Sequence, residues 1–225
     1  MKHLKSIAPD YPRIGHLSGS MIGHDDFLSE TWNPSGKVYS QEKVDGANCG
    51  MAWVDGPLLR NRDHILRKGY DAKTPAKKQF VPAWNWLHEH EKGLRAINTK
   101  LETIAVVYGE WLFAEHSIRY DRLPDYFLAY DIWDSERRLF LSPKVCEGLL
   151  EGTGIFWIKA KEFSGKVEVG NSEFRTGLAE GIVLKEVDLT DGHIVCTAKY
   201  VRPDFVRADD WNDREMKKNK LVQLY

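Results

Sequence analysis

Apolar and polar positions alternate, or cluster into short apolar blocks, along most of this chain, and the blocks are of strand length. Lys37–Lys43 and Ala47–Val54 read as the arms of a β-hairpin, and Asp55-Gly56-Pro57 turns the chain on into Leu58-Leu59-Arg60. Thr103–Tyr108 is a continuous apolar run of the buried-strand kind that leads into Gly109-Glu110-Trp111, and Tyr126–Trp133 is another, turning at Asp134-Ser135 into Arg138–Leu141. Ile155–Ile158, Gly181–Val187 and His193–Val201 complete the strands, the last two joined through Asp191-Gly192 as a second hairpin. The spacing of Trp84, Leu87, Glu91, Leu94 and Ile97 after Pro82 predicts a helix over 82–97. Ser142 followed by Pro143 predicts the start of a short helix that ends near Gly152. The tail from Pro203 is charged, with room for one helix and no wide apolar stripe. Strands joined by turns outnumber helices, so the expected class is α+β: antiparallel β-sheets flanked by helices, as one domain over 1–225.

Composition narrows the setting. With 225 residues, 42% hydrophobic and 12% aromatic, the chain has material for one well-cored globular domain. No apolar run reaches membrane-spanning length, and Met1–Pro9 lacks the apolar core of a signal peptide, so an intracellular, cytoplasmic protein without membrane contact is expected. Cys49, Cys146 and Cys196 are scattered, which fits a reducing compartment and offers no zinc site. His88 and His90 point in different directions on a helix and read as surface. The net charge of −1 announces no nucleic-acid binder. Locally, Arg60, Arg62, Arg67, Lys68, Lys73, Lys77 and Lys78 face only Asp63 and Asp71, which describes either a solvated face or a phosphate-facing patch.

Four short polar sites sit at strand ends. Lys43 closes the first strand and is followed by Asp45-Gly46, a turn whose backbone N–H groups suit an anion. Lys-x-Asp-Gly alone has roughly a one-in-twenty chance of arising in a chain this long. It is joined downstream by Tyr108-Gly109-Glu110, by Glu180-Gly181-Ile182-Val183-Leu184-Lys185, and by Ala198-Lys199-Tyr200-Val201-Arg202. Each read singly is an ordinary turn or a solvated strand end. Glu180 and Lys185 are five apart and point to opposite faces of a flat strand, so they serve one pocket only if the strand twists or Glu180 lies in the preceding turn.

Taken in order, these sites resemble the nucleotidyltransferase motifs of the covalent ligase and capping-enzyme superfamily, over about residues 40–202. Glu42-Lys43-Val44-Asp45-Gly46 resembles motif I, whose lysine is the nucleophile, and Arg60-Asn61-Arg62 resembles motif Ia, Arg62 being the better match to its arginine. Gly109-Glu110 is similar to motif III and Tyr130-Asp131-Ile132 to motif IIIa, whose aromatic residue stacks on the purine. Glu180–Lys185 is similar to motif IV and Lys199 to the first lysine of motif V. Within the superfamily, Glu42, Asn48 and the Glu-Gly-x-x-x-Lys form of motif IV most resemble the ATP-dependent RNA ligases of the phage double-strand-break and RNA-editing branch. Motif V usually reads Lys-x-Lys there. Here Val201 takes the second place, and Arg202 substitutes only if the strand end turns it inward.

The resemblance implies that Lys43, as a neutral amine, takes AMP from ATP and passes it to the 5′-phosphate of an RNA, which a 3′-hydroxyl then seals. Lys185, Lys199 and Mg2+ (or Mn2+) would lower the lysine pKa and offset charge on the phosphates, with Glu110 and Glu180 as metal contacts. Glu42, Asp45, Gly46, Arg62, Tyr130 and Arg202 join Glu110, Glu180, Lys185 and Lys199 in the implied nucleotide site. An end-healing enzyme is the kind of partner implied, and a phage-encoded source fits the branch. The rivals are a small ATP-dependent DNA ligase, an mRNA guanylyltransferase and a non-catalytic, ligase-derived RNA-binding domain. Pro203–Tyr225 is too short for the C-terminal OB-fold domain that DNA ligases and guanylyltransferases append.

Overall fold

The computed structural model describes residues 6–30, 32–68, 75–208 and 215–222. Two five-stranded sheets dominate it. The first has the order β1-β10-β9-β2-β8, with β1 (Gly15–His16), β2 (Lys37–Lys43), β8 (Lys161–Glu162), β9 (Gly181–Asp188) and β10 (His193–Val201). The second has the order β4-β3-β5-β6-β7, with β3 (Ala47–Trp53), β4 (Pro57–Asn61), β5 (Ala105–Trp111), β6 (Phe127–Asp134) and β7 (Leu139–Phe140). All pairings are antiparallel except β1 with β10. Helices α1 (Pro75–Lys78), α2 (Val81–Glu89), α3 (Glu91–Leu101) and α4 (Pro143–Leu150) complete an α+β fold.

The expected hairpin over 37–54 does not form, because its two arms belong to different sheets. β2 pairs with β9 and β8, whereas β3 pairs with β4 and β5, so Val44-Asp45-Gly46 is the corner where the chain passes between sheets. The hairpins that do form are β3–β4, β6–β7 and β9–β10, the last turning through Gly192 at φ +65°. The helix over 82–97 is split at His90, whose backbone leaves helical geometry while its ring stacks on Trp86 at 3.9 Å. His90 is therefore half-buried, and only His88 matches the surface reading. Pro143 opens α4 as expected, although Ser142 makes no side-chain cap. Ile155–Ile158 is not a strand and makes a single bridge, Trp157 to Ala129. The described part of the tail holds no helix and lies along the body through bridges Lys218–Ala114 and Leu221–Leu123.

Alternation along the second sheet divides its two faces. Cys49, Met51, Leu59, Val107, Trp111 and Phe127 pack under Trp86, Leu87, Leu94, Ile97 and Leu150 of the helices and form the main core. Val106 and Tyr108 face the other way, toward Ile7 and Ala8, and Glu110 on that same face looks into a cleft between the sheets. A β-bulge decides what β6 presents there. Tyr108 pairs with Asp131 and Gly109 with Ala129, leaving Tyr130 as the extra residue. The inserted residue lets Ala129 and Ile132 both stay in the helix-side core while Tyr130 and Asp131 both reach the cleft side.

Candidate active site

The cleft between the sheets is a cavity of about 700 Å3. Glu42, Lys43, Asp45, Gly46, Arg62, Glu110, Tyr130, Glu180, Lys185 and Lys199 all line it, so ten of the eleven residues singled out in the sequence come together; Arg202 does not. Strand register explains the gathering. Lys43 pairs with Gly181, and Val183 pairs with Gln41 on one side and Lys199 on the other, which puts Gln41, Lys43, Lys185 and Lys199 on one face. Glu180 lies in the turn before β9, and from there it meets Lys43 without needing the strand to twist.

Lys43 is the hub. Its Nζ donates to Glu180 Oε2 at 2.7 Å, with the lysine side chain 20% and the glutamate 2% exposed. Burial alone would lower the lysine pKa, but Glu180, then Asp45 and Glu110, outweigh it and the pKa is raised. The expectation that Lys185 and Lys199 lower it does not hold. Lys185 cannot contribute, because its charge is matched by Asp131 at 2.6 Å, while Lys199 is matched by Asp26 at 3.1 Å. Burial and the charge of Lys43 instead lower the pKa of Lys199 itself.

Several residues of the first motif act through the fold. Asp45 Oδ2 accepts from the N–H groups of Ser117 (2.7 Å) and Ile118 (3.1 Å), and the Asp45 N–H donates to Tyr120 Oη at 2.7 Å. This anchors the corner to the loop after Ala114. Gly46 is required by space rather than by its backbone angles: a β-carbon there would lie 2.6 Å from Leu112 Cδ2 and 2.9 Å from the Trp111 carbonyl. Gly46→Ala is expected to cost about 1–3 kcal/mol in urea unfolding, since a buried leucine and a strand carbonyl must both shift. Glu42 borders the cavity, but its carboxylate accepts from Ser172 Oγ and from the Glu173 N–H at 2.8 Å, tying β2 to the 170s loop. Arg60 is buried against the carbonyls of Ala8, Asn61 and Arg62, which leaves Arg62 as the arginine that borders the cavity. Of the other basic residues there, Arg67, Lys68, Lys77 and Lys78 are exposed, and Lys73, like the acidic Asp71, lies outside the described residues.

Arg202 turns away: its Nε donates to the Ala179 carbonyl at 3.1 Å and its Nη1 to Asp204. A different arginine, Arg207, borders the cavity and reaches Asp26 Oδ2 at 3.4 Å. Sequence reasoning passed over Arg207, Asp26, His16 and Tyr11. His16 is buried with Nε2 3.2 Å from Asp26, and Tyr11 Oη donates to Asp131 Oδ2 at 2.6 Å. Tyr11, Asp26 and Arg207 sit on irregular segments and His16 on a two-residue strand, none with a periodicity to read, so only their positions in the fold bring them to the site.

Among the described residues, no group of three or more His, Cys, Asp or Glu forms a ready metal cage. The donor set fits a hard cation held by one or two carboxylates, with waters and substrate phosphates filling its shell. Among the described residues Glu110 Oε2 is buried without a hydrogen-bond partner, and Glu180 borders the same cavity. Burial pushes the Glu110 pKa up to about 8, against the pull of Lys43 and Arg62. Because this folded-state pKa lies above the unfolded one, the native state loses stability as pH rises from about 4.5 through about 8. Glu110→Gln removes that loss. Without nucleotide or metal, the variant should match wild type in urea near the lower pH and exceed it by about 1–3 kcal/mol above the upper one.

The sequence model of the RNA ligase family matches residues 36–201. A search of curated proteins gives no match. The fold is similar to solved structures of the RNA ligase of Naegleria gruberi. In its complex with PPi the TM-score is 0.57 at 18% identity, covering 87% of this chain and 60% of that one. A mutant of the same ligase in the apo form gives 0.55 at 16% identity, covering 86% and 61%, and another mutant with ATP and Mn gives 0.53 at 16%, covering 86% and 60%. This chain thus spans about three-fifths of the length of those structures.

Proposed function

This chain belongs to the RNA ligase family, and we propose that it is an ATP-dependent ligase that joins RNA 5′-phosphate and 3′-hydroxyl ends through AMP carried on Lys43. The observation that carries the reading is Lys43 on the floor of the cavity, 2.7 Å from a buried Glu180 and on one sheet face with Lys199. The Naegleria ligase structure holding ATP and Mn supports the choice of nucleotide and of a divalent ion.

In the first step the Lys43 amine attacks the α-phosphorus of ATP; the P–N bond forms as the P–O bond to pyrophosphate breaks. Lys43 begins as an ammonium, and Glu180, in direct contact, is the group placed to receive its proton. Lys199 and Arg207 are the cavity cations aimed at the departing phosphates, and each must exchange Asp26 for a phosphate oxygen. Glu110 and Glu180 would hold Mg2+ or Mn2+, which would supply positive charge that offsets the charge on the phosphates. Lys185, locked to Asp131 and to the Tyr130 carbonyl at 3.0 Å, holds the bulge in place. AMP then moves to the RNA 5′-phosphate, and attack by the 3′-hydroxyl expels it. Residues 1–225 act as one nucleotidyltransferase domain, and a requirement for ATP fits a protein inside the cell. Broken RNAs reach it after an end-healing partner has left 5′-phosphate and 3′-hydroxyl termini.

The test uses nicked duplexes labelled at the 5′-phosphate, with RNA or DNA on the 3′-hydroxyl side, plus ATP and Mg2+. The expected result is an adenylylated 5′ end followed by a sealed strand, with sealing favoured by an RNA 3′-hydroxyl side. Equal sealing of all-DNA nicks would overturn the RNA assignment. No adenylylated end on any substrate would leave a binding domain without ligase activity.

A further inference from the structure

Asp26 stands on the two cations assigned to the departing phosphates. Its Oδ1 lies 3.1 Å from Lys199 Nζ and 3.2 Å from His16 Nε2. Its Oδ2 accepts from the Gly23 N–H at 3.0 Å and lies 3.4 Å from Arg207 Nη2. Asp26, Lys199 and Arg207 all border the cavity. Burial would raise the Asp26 pKa, but the hydrogen bond and charge of Lys199 outweigh it and hold the carboxyl well below the usual carboxylate range. Asp26 is therefore an anion at neutral pH, held by the same side chains that a phosphate would use. The backbone fixes it there. The His16 N–H donates to the Phe27 carbonyl at 2.8 Å, and the Ser29 N–H donates to the His16 carbonyl at 2.7 Å. His16 in turn pairs with Lys199 across β1 and β10. The segment that carries Asp26 is thus tied, through β1, to the strand that carries Lys199.

We propose that Asp26 is an internal stand-in for pyrophosphate, which takes back Lys199 and Arg207 once the leaving group has parted from AMP and so commits the first step to the forward direction. When ATP enters, the long Lys199 and Arg207 side chains move to the phosphates, while Asp26 keeps the Gly23 N–H and His16 beside it. A tethered carboxylate that stays within reach competes at a high effective concentration. In the reverse reaction a pyrophosphate oxygen attacks the phosphorus of lysyl-AMP. The P–O bond forms as the P–N bond breaks, and the Lys43 nitrogen regains the proton that Glu180 received. With Asp26 back on both cations, pyrophosphate lacks the contacts that would hold it for that attack. Asp26 is a positioning residue, since it acts through Lys199 and Arg207 and touches no reacting atom. The inference rests on Lys43 taking AMP from ATP.

The test is conversion of preformed lysyl-AMP to ATP by added pyrophosphate, in wild type, Asp26→Asn and Asp26→Glu. Inhibition of labelling by AMP, which has no tail phosphates, is measured beside it. Asp26→Asn keeps the shape of the side chain and removes its charge. It is expected to revert at about tenfold lower pyrophosphate than wild type, the yield of one charge-assisted hydrogen bond, with inhibition by AMP unchanged. Asp26→Glu returns the charge and should restore most of the wild-type resistance to pyrophosphate. Asp26→Ser, also uncharged, gives the same readout if the Asn variant fails to fold. An unchanged pyrophosphate response in the uncharged variants would overturn the inference. A weaker response would overturn it too, and would make Asp26 a contact for metal-bound pyrophosphate. Equal shifts for pyrophosphate and AMP would overturn it as well, because they would report damage to the cavity as a whole. A wild type that forms no lysyl-AMP would overturn the ATP reading itself, a result distinct from an unchanged pyrophosphate response.

Discussion

Lys43→Ala should lose protein labelling from α-labelled ATP by at least ~10^3-fold while remaining folded, because no other amine stands where the α-phosphate is expected. Lys185 is paired with Asp131 and Lys199 with Asp26. The alanine variant leaves Glu180 buried without its cation, but burial already favours the protonated carboxyl, so the loss is absorbed by proton uptake. Lys43→Arg separates the two roles of the lysine. It keeps a charge for Glu180, stays permanently protonated and cannot attack phosphorus, so it too should be inactive. Labelling of Lys43→Arg near the wild-type rate would show that Lys43 acts only as a counter-charge.

Lys185→Met is expected to destabilise the protein by about 3–5 kcal/mol in urea, because it strands a buried carboxylate. Lys185 and Asp131 are 1% and 2% exposed and 2.6 Å apart, and the lysine also caps the Tyr130 carbonyl at the bulge. Asp131→Asn in the same chain removes the stranded charge while its amide oxygen still accepts from Tyr11. The double variant should therefore recover much of the loss. Such a non-additive cycle marks a pair whose charges answer each other. A single variant within about 1 kcal/mol of wild type would mean that water reaches the pair. The consequence for function is indirect: without Lys185 the bulge that aims Tyr130 and Asp131 into the cleft loses its anchor.

The chain's strands and the identity of most site residues were legible because both are local. Alternation in Lys37–Lys43, the apolar run of β5 and the turn at Asp191-Gly192 each follow from a few neighbouring residues. Pairing is not local. β2 finds β9 far along the sequence, so the apparent hairpin of β2 and β3 is opened by a partner that local patterns do not reveal. The bulge at Tyr130 escapes for the same reason, since it is defined only against β5. Within the site, Glu180 lies in the turn that makes its pairing with Lys43 natural. The phosphate-side arginine was misplaced by proximity in sequence. Arg202 is nearer to Lys199 along the chain, yet the Ala179 carbonyl and Asp204 take its guanidinium, and Arg207 borders the cavity instead. The raised pKa of Lys43 was likewise out of reach, because it depends on three carboxylates gathered from three segments.

The claim on which everything else stands is that AMP becomes covalently attached to Lys43. Incubating the wild-type protein with ATP and Mg2+, quenching in base to preserve a phosphoramidate, and mapping the adduct by peptide mass spectrometry tests it directly. The expected result is a single AMP adduct, acid-labile and hydroxylamine-sensitive only as a P–N bond is, on the peptide containing Gln41–Gly46 and localised to Lys43. An adduct on any other residue, or an unmodified chain with every nucleoside triphosphate, would contradict it.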